Sequence, residues 1–275
     1  MADQALDAGT KKRPARRGMY VLPSLFTAGN IAAGYYAITQ SIRGAGGDQH
    51  AFNHASLAIG FAVLFDGIDG RVARMTNTSS DFGREFDSLA DVITFGVAPS
   101  LLAYLWGVQQ VLPSAYPVVQ DRLFALGGMV CFVFLICGAC RLARFNISDN
   151  PQPRNPGRPG RKYFVGMPIP AGAGVVASVV HFEEGSPIHS LLWSAVWMAL
   201  IAGTSFLMVS SWRFWSGKEL NVSERQPVRG VLLIAVFLTV VVFFSEYALI
   251  IIAMFYLVSG VMARLAYSWG RRLDK

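Results

Sequence analysis

Long apolar segments separated by short polar ones run through most of the chain. Most of these segments are about 20 residues long, the length at which an α-helix crosses the ~30 Å hydrocarbon core of a bilayer. They span 23–43, 51–74, 85–107, 122–144, 164–182, 188–211, 227–244 and 246–267. The pattern predicts an all-α fold, a polytopic transmembrane bundle of about eight helices. Six or seven helices remain an alternative, because the segment 164–182 begins with prolines and glycines.

The basic residues occur in alternate polar segments, and Lys and Arg collect on the cytoplasmic side of a membrane. If the N-terminus lies inside, the predicted crossings also place the C-terminus and three polar segments on the inner side: 75–82, 145–163 and 212–226. All but Arg43 and Arg122 of the 24 basic residues then lie there. We therefore expect both termini in the cytoplasm, with a basic tail at 1–18 followed by one transmembrane domain at 19–270.

The composition agrees with this topology. Hydrophobic residues make up 53% of the chain and charged residues 15%, which is more apolar sequence than a soluble core of this length needs. The net charge of +7 follows from basic segments that face anionic headgroups, so it gives no support for nucleic-acid binding. Cys131, Cys137 and Cys140 share the fourth apolar segment, where we expect apolar thiols rather than zinc or redox ligands.

Four aspartates lie at the adjoining ends of the second and third apolar segments. Asp66 and Asp69 are spaced to share one face of a helix, and Asp87 and Asp91 repeat every four residues on the next. The turn between them, 76–81, is polar and long enough for the two helices to pack antiparallel. Both acidic faces can then converge on one site.

Carboxylates brought together in this way repel one another unless a cation neutralises them. Ligation by aspartate oxygens favours Mg²⁺ or Mn²⁺ over zinc, and two ions are compatible with four acids. Arg74 adds a planar cation suited to a phosphate. The alternative is that the acids only form ion pairs with Arg71, Arg74 and Arg84. The ordered spacing and the interleaved small residues favour a metal site that binds a diphosphate.

These positions resemble the signature of the CDP-alcohol phosphotransferases, D-x2-D-G-x2-A-R-x8-G-x3-D-x3-D, which runs here from Asp66 to Asp91. The resemblance implies a membrane enzyme with its active site at the cytoplasmic boundary. It implies metal binding by Asp66, Asp69 and Asp87, and both metal binding and a general-base role for Asp91. The positions that it assigns to the CDP-lipid are Gly70, Ala73, Arg74 and a turn hydroxyl, here Ser80 rather than Thr78.

Beyond the signature, the chain resembles the phosphatidylserine synthases of bacteria and archaea over nearly its whole length. The matching segments are 22–30, 140–146, 166–174 and 207–210. This resemblance implies CDP-diacylglycerol as donor, L-serine as acceptor, Asp91 as the group that takes the serine hydroxyl proton, and a homodimer in the inner membrane. Ser24 stands where such synthases often carry Asn, which leaves Asn30 as the polar candidate for the nucleotide on the first helix.

The acceptor itself depends on other residues. Arg141 and Arg144 lie one turn apart at the predicted cytoplasmic end of the fourth helix, with Asn146 beside them, and can clamp an acceptor carboxylate or a phosphate. Anchoring at lipid headgroups is the alternative role for these arginines. Glycerol-3-phosphate, inositol phosphate and choline remain alternative acceptors. A divalent-cation transporter is a more distant alternative, because its acids should lie near the midplane on broken helices.

Overall fold

The computed structural model describes residues 21–48, 50–76, 81–111, 117–147, 163–215, 235, 239–241 and 243–273. Eight α-helices lie in this part of the chain: α1 Val21–Ala45, α2 Ala51–Thr76, α3 Asp81–Asp91, α4 Ala98–Gly107, α5 Pro117–Ile147, α6 Ile169–Phe182, α7 Leu191–Val209 and α8 Ser245–Leu273. A π-helical turn, Val92–Val97, joins α3 to α4. The predicted all-α bundle is therefore confirmed.

Four helices of the described residues are long and apolar enough to cross a membrane. They are Phe82–Gly107, Val118–Ile147, Leu191–Val209 and Ser245–Trp269. The first of these contains α3, the π turn and α4, which together account for the single predicted segment 85–107. Most of the predicted segment 227–244 lies outside the described residues, as does the basic tail 1–18.

The predicted segment 164–182 begins differently from the expectation. Its first residues form a short strand, β1 Tyr163–Val165, which pairs antiparallel with β2 Arg213–Trp215. Pro168 precedes α6 with an extended backbone, φ −59° and ψ 144°, and Pro170 follows within the first helical turn, where a missing N–H costs little. The helix therefore starts at Ile169 and has 14 residues, a length of about 21 Å.

α6 lies in the interior of the bundle, since Val175, Val176 and Val180 are all fully buried. Small residues let neighbouring helices of the bundle approach closely, as is common where apolar burial cannot drive helix association. At Gly107 in α4, an added Cβ would lie within 2.2 Å of the Trp197 ring in α7. Trp197 Nε1 also donates to the Ala103 carbonyl at 3.0 Å, so α4 and α7 are joined by both packing and a hydrogen bond.

Hydrogen bonds between different elements define two ends of the bundle. At one end, Gln110 Nε2 donates to the Ala45 carbonyl at 3.5 Å, and His189 Nδ1 donates to the Gln110 carbonyl at 2.9 Å. We call this the histidine end. At the other, which we call the acid end, Asn146 Nδ2 donates to Ser88 Oγ at 2.8 Å. The chain alternates between the ends, as the charge pattern predicts.

Candidate active site

Three of the four predicted metal-binding aspartates meet at the acid end. One oxygen from each of Asp66, Asp87 and Asp91 lies within 4.8 Å of the others. Asp66 comes from the C-terminal part of α2 and the other two from α3, so the site is formed by two helices that follow each other in the chain. Spacing of four residues places Asp87 and Asp91 on one face of α3.

The cluster is partly shielded from solvent. Asp91 is only 8% exposed, and Asp66 and Asp87 are half-buried. Carboxylates held this close and this far from water need a cation. Oxygens that share one Mg²⁺ at about 2.1 Å lie at most about 4.2 Å apart, so the observed spread fits such an ion after small side-chain adjustments. The all-oxygen donor set suits Mg²⁺ or Mn²⁺.

Gly83 lies in α3, and the remaining signature positions lie in the last turns of α2. Asp69, Gly70, Ala73 and Arg74 belong to the helical backbone of α2, and their side chains fall outside the described residues, as does the whole of Ser80. Their predicted roles therefore stay predictions.

Arg141 of α5 lies beside the acids. It is 7% exposed and interacts electrostatically with Asp66 and Asp91. Its guanidinium carbon lies 5.3 Å from the centre of the Phe145 ring and 6.0 Å from that of Phe164 in β1, distances at which aromatic faces attract a cation. The aromatic rings thus hold a positive group next to the carboxylates.

Arg144, one turn further along α5, has a different environment. Its guanidinium donates to the carbonyls of Val209 at 2.9 Å, Val165 at 3.0 Å and Ser210 at 3.3 Å. These bonds join α5 to β1 and to the end of α7. Gly166 lies at the same junction with a φ of +76°. A Cβ at this position would lie 2.5 Å from the Met208 carbonyl oxygen, so the junction requires glycine.

Asn30 of α1 is close to the same region. Its carbonyl accepts a hydrogen bond from Thr94 Oγ1 at 2.9 Å, and Thr94 lies three residues after Asp91. The Asn30 side chain is 1% exposed, and neither of its amide atoms has a hydrogen-bond partner among the described residues. A buried amide without partners is costly, so this side chain is suited to bind a polar ligand group.

Two residues of the site carry no signal in the sequence pattern. Tyr256 of α8 is an electrostatic neighbour of Arg141, and its hydroxyl donates to the Trp215 carbonyl in β2 at 3.2 Å. Thr94 lies in the π turn. Each is a polar residue surrounded by apolar sequence. The neighbours of Thr94 in α1, and those of Tyr256 in α5 and the sheet, appear only once the helices have packed.

A fold of membrane-spanning helices with an acidic cluster and a buried arginine at one end is that of a membrane-embedded phosphotransfer enzyme. The family model for CDP-alcohol phosphatidyltransferases matches residues 20–204. The chain belongs to the CDP-alcohol phosphatidyltransferase family, as the signature predicted, and it is a membrane protein with the activity of that family.

Several relatives are named CDP-diacylglycerol–serine O-phosphatidyltransferase. The protein of that name from Helicobacter pylori is 35% identical over 250 residues, which cover 89% of this chain and 91% of the relative. One from Mycobacterium bovis is 36% identical over 209 residues, 72% of this chain and 63% of the relative. One from Bacillus subtilis is 34% identical over 196 residues, 71% of this chain and 90% of the relative.

Proposed function

We propose that this protein transfers the phosphatidyl group of CDP-diacylglycerol to L-serine, with phosphatidylserine and CMP as products. The names of the relatives support this assignment. The observation that carries it is the meeting of three carboxylates with one buried guanidinium at the acid end. The carboxylates suit the donor's metal-bound diphosphate, and the guanidinium suits an acceptor that carries a carboxylate.

In this proposal, Asp66, Asp69, Asp87 and Asp91 hold two divalent ions, Mg²⁺ or Mn²⁺. When bound, the metal neutralises negative charge on the diphosphate and on the departing CMP. The CDP-lipid contacts Gly70, Ala73, Arg74 and Ser80 near the end of α2. Asn30 reaches the nucleotide from α1, which is supported by the burial of its unpartnered amide.

Asp91 acts as the general base. Its carboxylate accepts the proton of the serine hydroxyl as the serine oxygen attacks the lipid-side phosphorus of CDP-diacylglycerol. A new bond joins that phosphorus to the serine oxygen, and the bond from the phosphorus to the oxygen of CMP breaks. The position of Asp91 supports this role, because it is the most buried of the three described acids and is therefore the best protected from competing water.

Arg141 binds the serine carboxylate. In the part of the chain that the structure describes, its guanidinium donates no hydrogen bond, whereas that of Arg144 donates to three carbonyls. Arg141 is 7% exposed and lies beside Asp66 and Asp91, and its planar fork suits an incoming carboxylate. Choline has no carboxylate for Arg141 to bind. Asn146 donates to Ser88 of α3, the residue after Asp87, and we propose that it also contacts the acceptor.

The acid end faces the cytoplasm, and the enzyme lies in the inner membrane. Arg84, Arg141, Arg144 and Arg213 lie at this end, which supports that orientation. The tail 1–18 then adds basic charge on the same side as the domain 19–270. We also propose a homodimer, for which the exposed apolar faces of α5 and α8 provide surface.

An acceptor panel tests the proposed reaction. Purified, detergent-solubilised protein is incubated with CDP-diacylglycerol, Mn²⁺ or Mg²⁺ and one of L-serine, ethanolamine, choline, glycerol-3-phosphate or inositol phosphate. We expect metal-dependent CMP release and phosphatidylserine with L-serine alone. Ethanolamine is the matched control, because it is serine without the carboxylate that Arg141 binds.

Other outcomes would change the assignment in defined ways. CMP release with glycerol-3-phosphate or inositol phosphate, and none with serine, would keep the phosphatidyl transfer and discard serine. Equal turnover of ethanolamine and serine would contradict the role of Arg141. No release with any acceptor would favour the cation-transporter alternative.

A further inference from the structure

Asp91 is followed directly by a π-helical turn, Val92–Val97. The Ala98 N–H donates to the Ile93 carbonyl five residues earlier, rather than four as in an α-helix. The extra residue rotates everything after the turn by about 100° relative to a continuous α-helix. Such turns are rare and are concentrated at functional sites, so the contacts that keep this one in place also affect the position of Asp91.

The centre of the π turn is held between α1 and α5. Thr94, Phe95 and Gly96 are all buried. On one side, a Cβ added at Gly34 of α1 would lie 2.6 Å from Thr94 Oγ1 and 2.9 Å from Thr94 Cα. On the other, a Cβ added at Gly96 would lie 2.9 Å from Leu135 Cδ1 of α5. The turn therefore has little freedom to shift sideways.

The hydroxyl of Thr94 donates between helices rather than within one. Both kinds of bond occur among the buried hydroxyls: Ser194 of α7 donates across to the Gly107 carbonyl of α4 at 2.7 Å, whereas Ser41, Thr204 and Ser205 donate within their own helices, to Ala37, Leu200 and Ile201, at 2.7–2.8 Å. Such local bonds are the ordinary solution for Ser and Thr in a helix. Thr94 instead donates across to the Asn30 carbonyl of α1 at 2.9 Å. Its bond therefore ties two helices together at the level of the acidic cluster.

We propose that Thr94 is a positioning residue for Asp91. Its bond to Asn30 fixes the π turn against α1, and the rigid helical backbone passes this constraint to Asp91 one turn earlier. Asp91 is thereby held where its carboxylate meets those of Asp66 and Asp87. This inference rests on the proposed metal-binding and base roles of Asp91, and it extends the site to a residue that touches neither substrate nor metal.

Thr94→Val tests the inference, because valine keeps the shape of threonine and removes the hydroxyl. In detergent-solubilised full-length protein we expect kcat to fall about tenfold, the effect of one lost buried hydrogen bond. The KM for CDP-diacylglycerol should rise by less than kcat falls, since Thr94 bonds only to the backbone carbonyl of Asn30 and the Asn30 side chain, the proposed nucleotide contact, remains. Mn²⁺ binding, followed by electron paramagnetic resonance without substrates, should weaken at least about threefold.

Thr94→Ser keeps the hydroxyl and should restore both kcat and Mn²⁺ affinity. Thr204→Val is the matched control, because Thr204 is equally buried but donates within α7; it should leave both values unchanged. Gly34→Ala is a second, independent variant, since its Cβ displaces the π turn while the Thr94 hydroxyl remains. It should weaken Mn²⁺ binding as Thr94→Val does.

Thr94→Val with wild-type kcat and wild-type Mn²⁺ affinity would overturn the inference. So would a lower melting temperature with both values unchanged, because that is the result of a purely structural role. If Thr94→Val does not fold, unchanged Mn²⁺ affinity in Gly34→Ala would overturn it instead. Asp91→Asn, measured in parallel, separates failure of the Thr94 inference from failure of the proposed function. Full turnover in that variant would contradict the proposed function itself.

Discussion

Two arginines one turn apart on α5 have different surroundings and therefore different expected roles. Arg141 lies between two aromatic rings beside the acids, whereas Arg144 binds three backbone carbonyls at the junction of α5, β1 and α7. The same substitution at each position should separate ligand binding from structural support.

Arg141→Lys and Arg144→Lys form a matched pair. Lysine keeps the charge and loses the planar fork. At position 141 we expect the KM for serine to rise about 10- to 100-fold, the value of a lost charged hydrogen bond, with the melting temperature nearly unchanged. At position 144 we expect the melting temperature to fall by about 4–8 °C, because two of three bonds are lost. Steady-state kinetics and thermal unfolding measure both, and the reverse pattern would contradict the assignment.

The sequence could predict one part of this site and not the other. The spacing of Asp66, Asp87 and Asp91 defines helix faces, so their convergence follows from two helices and a turn. Arg141 and Arg144 have equivalent positions in the sequence pattern, and only the partners of each guanidinium distinguish them. Those partners include β1 and the end of α7, which are distant in sequence.

At the scale of elements, apolar length predicts the helices well and their interruptions poorly. The π turn lies in an apolar stretch whose six residues are too few to reveal a change of period. The short sheet of β1 and β2 is likewise invisible in the pattern, although it forms one wall of the site next to Arg141. Phe214 of β2 packs on Tyr256 of α8, with ring centres 5.6 Å apart, and this contact attaches the sheet to the bundle.

Gly260→Ala should loosen that attachment. A Cβ at position 260 of α8 would lie 2.2 Å from Phe214 Cζ, and the ring is 1% exposed and has no free space. We expect overpacking to lower the melting temperature by about 3–8 °C and to raise the KM for serine. Gly203→Ala in α7 is the control, since a Cβ there has no neighbour within 4 Å. Equal behaviour of the two variants would contradict a role for this contact.

At the scale of the whole molecule, the bundle separates its polar groups by end. His181 bonds to Asn53 at 2.7 Å and to Ser245 at 2.9 Å and ties α2, α6 and α8 together at the histidine end. The carboxylates and Arg141 occupy the acid end. Charge alternation along the sequence predicted this arrangement, because each membrane crossing reverses direction. The side of the membrane that each end faces is a prediction from the basic residues.

The central claim is that the acidic cluster performs the transfer and that Asp91 takes the proton of serine. Serine-dependent CMP release in Asp91→Asn, with saturating CDP-diacylglycerol and Mn²⁺, tests it most directly. We expect kcat to fall by about 10²- to 10⁴-fold, the usual contribution of a general base, while Asp48→Asn at the histidine end keeps wild-type turnover. Wild-type turnover in Asp91→Asn would contradict the account.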